Sequence, residues 1–140
     1  MKDSEKYLNN IIKQYRYWTL YVHDNQQYLG RVYVWCRRDS ALDLMDATEE
    51  ERLELFEILT QVKTSLLKTF KPDWFNYAFL GNETQHLHGH IVPRYSTKKE
   101  FMGHIFEDKE WGHNWRTDKN FITPLEIVQE VKKALQSNLD

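Results

Sequence analysis

The sequence contains one cysteine, three prolines and five glycines, and no apolar run approaches the length of a membrane span. A lone cysteine cannot close a disulfide within the chain, which agrees with a reducing compartment. A bilayer-spanning helix needs about 20 apolar residues, and the N-terminus is polar, so we expect a cytoplasmic protein without a membrane partner. Cys36 lies in an apolar alternation, which predicts a packed thiol rather than a reactive one.

The chain also lacks an excess of charge of either sign. Its 19 Lys and Arg residues against 21 Asp and Glu residues give a formal net charge of -2. Without an overall positive field, nucleic acid is not an expected partner. The 140 residues are 41% hydrophobic and 14% aromatic, which predicts one folded domain over residues 1–140 and argues against disorder.

Four segments rich in β-branched and aromatic residues predict strands. They cover about residues 18–23, 31–37, 74–80 and 86–92, and the first two are expected to pair antiparallel through a turn. Alternation in the second strand predicts a buried face and an opposite face. The buried set is Val32, Val34 and Cys36, and the opposite set is Arg31, Tyr33, Trp35 and Arg37.

Two helices complete the predicted architecture. Residues 48–51 form a capping box, followed by an apolar stripe that ends before Pro72: Leu53, Phe56, Leu59, Val62, Leu66 and Phe70. Residues 123–126 predict a second capping box, with Pro124 at the first helical position, and a helix over about 124–138. Its stripe is Leu125, Val128, Val131, Leu135 and Leu139. The fold class is therefore α+β, with a mainly antiparallel sheet of about five strands and two main helices.

The irregular, polar stretch of about residues 96–120 predicts a long loop region. It includes the segment Trp111-Gly112-His113-Asn114-Trp115. We expect these aromatic residues to pack on the domain, and contact with a base or a partner is the alternative.

The most informative feature is a row of three alternating histidines, His86, His88 and His90. On a strand this spacing places the three imidazoles on one face and the intervening residues on the other. Imidazole acts as a base, a nucleophile or a metal ligand near neutral pH, so the row predicts a reactive site. Gly89, between two of the histidines, leaves the back of the strand bare and allows a helix or second strand to approach closely.

Two chemistries remain open for this row. The outer histidines are about 13 Å apart at Cα, so all three cannot easily reach one metal ion. Two of them could bind a metal with a third ligand from elsewhere; the candidates are His23, His104, His113, Asp24 and Glu83. Alternatively, the central imidazole attacks phosphorus in a phosphate ester or anhydride, which requires neither a metal nor another cofactor.

The row continues as His86-Leu87-His88-Gly89-His90-Ile91-Val92-Pro93-Arg94-Tyr95 and is preceded by Asn76-Tyr77-Ala78-Phe79-Leu80-Gly81-Asn82. These segments resemble the histidine triad (HIT) family of nucleotide hydrolases and transferases, and its small bacterial members in particular. The resemblance is specific over residues 74–95 and looser over residues 18–38 and the helix after Thr48. It implies a HIT-like fold and a homodimer that pairs through its sheets.

The resemblance also implies a reaction at the α-phosphorus of a purine nucleotide phosphoramidate or phosphoanhydride. His88 is then the nucleophile that forms a nucleotidyl-histidine, which water opens to release a nucleoside monophosphate. His90 hydrogen-bonds the phosphate or helps to protonate the leaving group, and His86 orients the His88 ring through its backbone carbonyl. Alternatives are a nucleotide-binding protein with little turnover and a metal-dependent hydrolase that uses two histidines of the row.

The same resemblance implies a set of substrate-binding residues. Asn76 lies near the phosphate and the nucleophile, and Asp24 receives the ribose hydroxyls. The loop that cradles the phosphate contains Asn82, Glu83 and Thr84. A capping role for Asp24 in the turn is the alternative, and the charge of Glu83 must point away from a bound phosphate.

Two stretches depart from the family pattern. Arg31 falls where better-known members have a histidine, and Cys36-Arg37-Arg38-Asp39 replaces an expected proline and a later histidine. Arg31 and Arg37 are predicted on one strand face. We expect that face to be solvated, and a contact between one guanidinium and the nucleotide phosphate is the alternative.

Overall fold

The computed structural model describes residues 7–139, which form an antiparallel sheet packed against two long helices. This arrangement confirms the α+β class. The elements in chain order are β1 (Ile11–Gln14), β2 (Trp18–Val22), β3 (Val32–Cys36), a 3₁₀ turn (Leu44–Asp46), α1 (Glu49–Thr69), β4 (Trp74–Ala78), β5 (His88–Arg94), β6 (Lys99–Phe101), β7 (His104–Phe106) and α2 (Leu125–Ser137). Neither long helix has the length and apolar character needed to cross a bilayer.

The main sheet has the strand order β1-β2-β3-β5-β4, and every neighbouring pair is antiparallel. Strand β1 is additional to the four segments that the sequence predicts. Strand β5 lies between β3 and β4, with Tyr33 opposite His90 and Trp35 opposite His88. His88 and His90 therefore lie inside the sheet rather than at an edge.

One face of the sheet forms the core with the helices. Val32, Val34 and Cys36 are fully buried, while Tyr33 and Trp35 on the other face are partly exposed. The predicted alternation of β3 is thus confirmed. It separates a face that supplies stability from a face that is available to a ligand.

Helix α1 begins as predicted, and the second half of its predicted stripe is buried, at Val62, Leu66 and Phe70, but the first half is wrong. Thr48 and Glu51 form the capping box. The buried apolar residues are Leu55, Ile58, Val62 and Leu66, whereas Leu53 and Phe56 of the predicted stripe are 63% and 68% exposed. The helix has apolar residues on more than one side, and contact with the sheet, which periodicity does not reveal, selects the buried side.

Helix α2 is present, but its predicted capping box is wrong. Pro124 is the N-cap, and no side chain caps the helix. The hydroxyl of Thr123 instead accepts a hydrogen bond from the backbone N–H of Gln26 at 2.9 Å. A tertiary partner has therefore replaced the local one. Leu125 of the predicted stripe is 54% exposed, and Ile127 is buried in addition to Val128, Val131 and Leu135.

The segment after β5 is more ordered than a plain loop. Residues 99–106 form the hairpin β6–β7, which corrects the prediction for that part of residues 96–120. Beyond the hairpin, the buried Arg94 forms a two-point ion pair with Asp108, with Nε–Oδ2 at 2.8 Å and Nη2–Oδ1 at 3.0 Å. Arg94 also donates to the carbonyl of His113 at 2.7 Å. These bonds hold the segment against the end of β5.

Candidate active site

The histidine row occupies the sheet face opposite the helices. The rings of His88 and His90 have centroids 5.3 Å apart, and the Trp35 ring stacks on His86 at 4.2 Å. Leu87 and Ile91 are buried on the other side, as the alternation predicts. His86 lies two residues before β5, so only His88 and His90 are strand residues.

Gly89 is required because an aromatic ring covers the back of β5. A Cβ atom built on Gly89 would lie 2.2 Å from Cε1 of Phe79. Phe79 follows β4 directly. Of the two elements predicted to approach Gly89, a helix or a second strand, it is therefore the neighbouring strand that does so. The missing side chain allows this ring to pack behind the histidines.

His88 is held in one tautomer by a backbone carbonyl. Its Nδ1 lies 2.6 Å from the carbonyl oxygen of His86. Because a carbonyl oxygen only accepts, Nδ1 carries the proton, and Nε2 of the neutral ring keeps its lone pair. This geometry is what a nucleophilic or metal-binding imidazole requires. The contact expected between the His86 carbonyl and the His88 ring is present.

The side chain of His86 has a structural contact of its own. Its Nε2 lies 2.6 Å from the carbonyl oxygen of Cys36, at the end of β3, and therefore donates to it. Together with the stacked Trp35 ring, this bond fixes the segment that precedes β5. His86 thus holds its own carbonyl in position for the ring of His88.

His90 is neutral at physiological pH. Burial, followed by the charge of Arg31 and the proximity of His88, lowers the pKa of His90 from 6.5 to about 4. Its Nδ1 faces Nη2 of Arg31 at 3.5 Å. A guanidinium only donates, so Nδ1 is the acceptor and Nε2 carries the single proton. His90 is therefore a hydrogen-bond donor through Nε2.

Arg31 is buried, which corrects the prediction of a solvated strand face. It is 4% exposed, and its Nη1 donates to the Thr117 hydroxyl at 2.8 Å. Burial lowers the pKa of Arg31 to about 10. Arg37 remains exposed and donates to the carbonyls of Tyr15 and Arg16. The two arginines differ because the segment after Asp108 covers only Arg31.

Two clefts meet at His90. The histidine cleft has a volume of about 480 Å³ and is lined by Tyr7, Tyr21, His23, Asp24, Tyr33, Trp35, Thr84, His88 and His90. The Arg31 cleft has a volume of about 650 Å³ and is lined by Arg31, Phe75, Asn76, Tyr77, Ala78, Leu80, His90, Asn114, Trp115 and Thr117. Only His90 belongs to both linings.

The histidine cleft has aromatic walls and one acidic side chain. Tyr21 and Tyr33 stack with ring centroids 4.9 Å apart. Asp24 accepts a hydrogen bond from the Asn10 amide at 2.6 Å, so its carboxylate has an orienting partner within the chain. An aromatic surface beside a carboxylate suits a planar base joined to a sugar with free hydroxyls.

The predicted binding residues divide between the two clefts and the surface. Asp24 and Thr84 line the histidine cleft, and Asn76 lines the Arg31 cleft. The Asn76 Oδ1 accepts from Arg94 at 2.8 Å, which leaves its amide N–H groups as donors. Asn82 is exposed and lines neither cleft. Glu83 pairs with Lys119 at 2.8 Å in solvent, so its charge has a partner in the loop after Asp108.

Sequence reasoning did not find several residues of the two clefts. The alternation of β3 puts Tyr33 and Trp35 on the correct strand face but indicates no role for them, because their place beside the histidine row follows only once β3 and β5 are paired. Thr117 has no usable signal in the sequence, because only the tertiary fold returns its segment to the sheet. Trp115 is partly buried in the Arg31 cleft, whereas Trp111 is 43% exposed.

The candidate metal ligands do not come together as a set of three. Among residues 7–139, no group of three His, Cys, Asp or Glu side chains is arranged to hold an ion. The rings of His23 and His90 have centroids 6.0 Å apart. Of the third ligands considered from the sequence, His23 and Asp24 line the same cleft as the histidine row, and Glu83 pairs with Lys119.

Comparisons with known proteins agree with the histidine motif. The family model for the HIT domain matches residues 5–97. The fold is similar to a histidine triad protein from Sinorhizobium meliloti, with 18% identity, 99% of this chain and 96% of that chain covered, and a TM-score of 0.77. No curated protein sequence matches the chain significantly.

Two further structures show the same fold at low identity. A histidine triad protein from Bradyrhizobium japonicum is 21% identical over 100% of this chain and 97% of that chain, with a TM-score of 0.69. Plasmodium falciparum diadenosine triphosphate hydrolase, in complex with cyclomarin A, is 18% identical over 92% of this chain and 75% of that chain, with a TM-score of 0.61. At such identities the likeness establishes the fold alone.

Proposed function

The chain belongs to the HIT family, and on that premise we propose that it is an enzyme that hydrolyses or transfers a nucleotidyl group through His88. The substrates are purine nucleotide phosphoramidates or phosphoanhydrides, and the product of hydrolysis is a nucleoside monophosphate. The observation that carries this proposal is the bond between Nδ1 of His88 and the His86 carbonyl. It keeps the Nε2 lone pair free for attack.

The proposed reaction consists of two displacements at the α-phosphorus. In the first, the Nε2 lone pair of His88 forms a P–N bond. The bond from phosphorus to the leaving group breaks, and the leaving group departs with the electron pair and takes a proton from water. In the second, a water oxygen attacks phosphorus and the electron pair of the P–N bond returns to Nε2. The water proton is released to solvent, and each step conserves atoms and charge.

His90 assists as a neutral hydrogen-bond donor in this scheme. Its lowered pKa of about 4 means that few molecules carry a second ring proton at pH 7. The Nε2–H group is suited to a non-bridging phosphate oxygen, where negative charge is present throughout the displacement. We therefore assign His90 to charge stabilisation, and not to proton delivery.

The nucleoside is proposed to lie in the histidine cleft. The paired rings of Tyr21 and Tyr33 offer a surface for the purine, and Asp24, which lines the same cleft, is proposed to accept from the ribose hydroxyls. Thr84 lines the same cleft beside His88 and is the donor proposed for the phosphate. Asn76 is proposed to contribute its amide N–H from the other side of His90.

The remaining members of the predicted phosphate loop are proposed to act through backbone groups. Asn82 and Glu83 have exposed side chains, and the pairing of Glu83 with Lys119 reduces the repulsion between its carboxylate and a phosphate. Removing either side chain is therefore expected to matter less than removing the hydroxyl of Thr84.

A turnover assay tests the proposal. Purified protein is incubated with adenosine 5′-phosphoramidate in EDTA, and AMP release is compared between the parent, His88→Ala and the control His104→Ala. His104 is an exposed residue of β7. We expect AMP from the parent and the control only, and rapid quenching with labelled substrate is expected to trap an adenylyl group on His88.

Other outcomes identify the alternatives. Turnover that stops in EDTA and returns with zinc would indicate the metal-dependent hydrolase. Tight AMP binding without turnover of any substrate would indicate a nucleotide-binding protein. AMP release by the parent without a trapped adduct would refute the covalent mechanism.

We also propose that the protein forms a homodimer through β4, as the family resemblance implies. Strand β4 is an edge of the main sheet. Trp74 and Tyr77 on this strand, and Leu80 just beyond it, are 66%, 43% and 60% exposed, and an apolar sheet edge favours pairing with another chain. Light scattering is expected to give twice the chain mass, and Tyr77→Glu is expected to give the monomer. A monomeric parent at micromolar concentration would refute the dimer.

A further inference from the structure

The Arg31 cleft contains a buried positive charge that has no counter-ion among residues 7–139. Arg31 is 4% exposed, and its hydrogen bonds are one to the Thr117 hydroxyl and a long one to His90. Its Nε is buried and has no hydrogen-bond partner in the part of the chain that the structure describes. No carboxylate in the described part of the chain forms an ion pair with it. Such a charge is costly to bury, so the site favours an anion that completes it.

The other buried arginine shows how different this environment is. Arg94 is 3% exposed, and it is neutralised by the two-point ion pair with Asp108. It also donates to Asn76 and to a backbone carbonyl. Arg94 contacts Asn76 of the same cleft, yet of the two arginines only Arg94 has a counter-ion among the described residues. The lack of a counter-ion is therefore specific to Arg31 and is not shared by the other buried arginine.

We propose that the Arg31 cleft is a subsite for an oxyanion leaving group, with Arg31 as its specificity-determining residue. This inference rests on the proposed function, in which the nucleoside occupies the histidine cleft. His90 lines both clefts, so the phosphorus attacked by His88 lies where they meet. The group that departs from it enters the Arg31 cleft, where a guanidinium can bind a phosphate or sulfate by two parallel hydrogen bonds.

The chemical consequence is a preference among substrates that share the same AMP group. When the bond to the leaving group breaks, negative charge builds up on the departing oxygen, and a fixed cation stabilises that charge. An amine leaving group takes up its proton as the P–N bond breaks and departs as a neutral molecule, so it retains no charge for the guanidinium to stabilise. The cleft therefore selects phosphate chains or sulfate over amines, a choice that the histidine row itself does not make.

The test measures the ratio of two kcat/KM values on the same enzyme preparation. The first substrate has an oxyanion leaving group, either diadenosine tetraphosphate or adenosine 5′-phosphosulfate. The second is adenosine 5′-phosphoramidate, and all three release AMP. Because both values come from the same preparation, any loss of folded protein in a variant cancels in the ratio.

The variants compared are Arg31→Gln, Arg31→Lys and the control Arg37→Gln, which removes an exposed arginine of the neighbouring surface. Losing a charge-assisted hydrogen bond predicts that Arg31→Gln lowers the ratio about 10- to 100-fold. Arg31→Lys is expected to lower it less, and Arg37→Gln to leave it at the parent value. A fall for either oxyanion substrate supports the subsite and identifies its ligand as a phosphate chain or sulfate. Equal losses on all substrates would overturn it, because Arg31 would then act on the α-phosphate or on folding.

A binding measurement separates this inference from the proposed function. If the parent turns over no substrate, the function fails, but calorimetry still compares ATP with AMP in His88→Ala and in His88→Ala/Arg31→Gln. The subsite predicts that ATP binds about 10-fold more tightly than AMP in the first protein and that this advantage is lost in the second. Equal affinity for ATP and AMP in the first protein would refute the subsite.

Discussion

Replacing Gly89 by alanine is expected to destabilise the fold through a single contact. The new Cβ would lie 2.2, 2.5 and 2.7 Å from three ring atoms of Phe79, whereas ordinary contacts begin near 3.4 Å. The ring must therefore move by about 1 Å, and overpacking of this kind costs about 1 to 3 kcal/mol. The backbone of Gly89 is not left-handed, so alanine adopts the same backbone conformation without strain. Because alanine also reduces the conformational entropy of the unfolded chain, it recovers about 0.4 to 1 kcal/mol of the free energy of unfolding. We expect a net loss of about 1 to 2 kcal/mol in the free energy of unfolding.

The double-mutant cycle with Phe79→Ala isolates this contact. Without the ring, Gly89→Ala has nothing to collide with and is expected to be neutral or to stabilise by about 0.5 kcal/mol. The coupling energy is then about 2 kcal/mol, well above the error of additivity between independent sites. Urea unfolding followed by tryptophan fluorescence measures all four proteins. An equal cost of Gly89→Ala in both backgrounds would refute the argument.

Three further predictions concern groups around the site. His90 has a folded pKa of about 4 against 6.5, so the unfolded chain binds more protons between these values. Its contribution to the free energy of unfolding is complete above pH 6.5 and is lost as the pH falls towards 4, by no more than about 3 kcal/mol. Urea unfolding at a series of pH values should show this fall in the parent and a flatter profile in His90→Gln. Parallel profiles of the two proteins would contradict the prediction. Asp108→Asn leaves Arg94 buried without its counter-ion and should lower the free energy of unfolding by about 3 to 5 kcal/mol, measured by the same method. A loss below about 1 kcal/mol would contradict the conclusion that this ion pair holds the segment after β7 in place. Burial raises the pKa of the Cys36 thiol, so Ellman's reagent should label it only after unfolding, and rapid labelling of the native protein would contradict a packed thiol.

The candidate site was predictable because it depends on local rules. Alternation along an extended segment places His86, His88 and His90 on one face without knowledge of the neighbouring strands. The same rule separates the two faces of β3, and the capping box before α1 is a contact between residues three positions apart. In each case the partner groups are close in sequence, so the pattern contains the information.

The predictions that are wrong concern residues whose partners are distant in the sequence. Thr123 was predicted to cap α2, but it binds the backbone of Gln26, about one hundred residues earlier in the chain. The first half of the predicted stripe of α1, Leu53 and Phe56, is wrong because several faces of that helix are apolar and only contact with the sheet selects the buried one. A local rule cannot rank a local contact against a distant one that the fold supplies.

The sequence by itself determined the class of the fold, the family and the histidine that we propose as nucleophile, because these follow from short-range periodicity and from a compact motif. Tertiary structure alone decided the surroundings of Arg31. The ion pair of Arg94 with Asp108 draws the later segment across the sheet, and Thr117 then covers a guanidinium that the strand pattern places in solvent. Burial depends on which distant residues pack above a side chain, and no spacing within β3 encodes that.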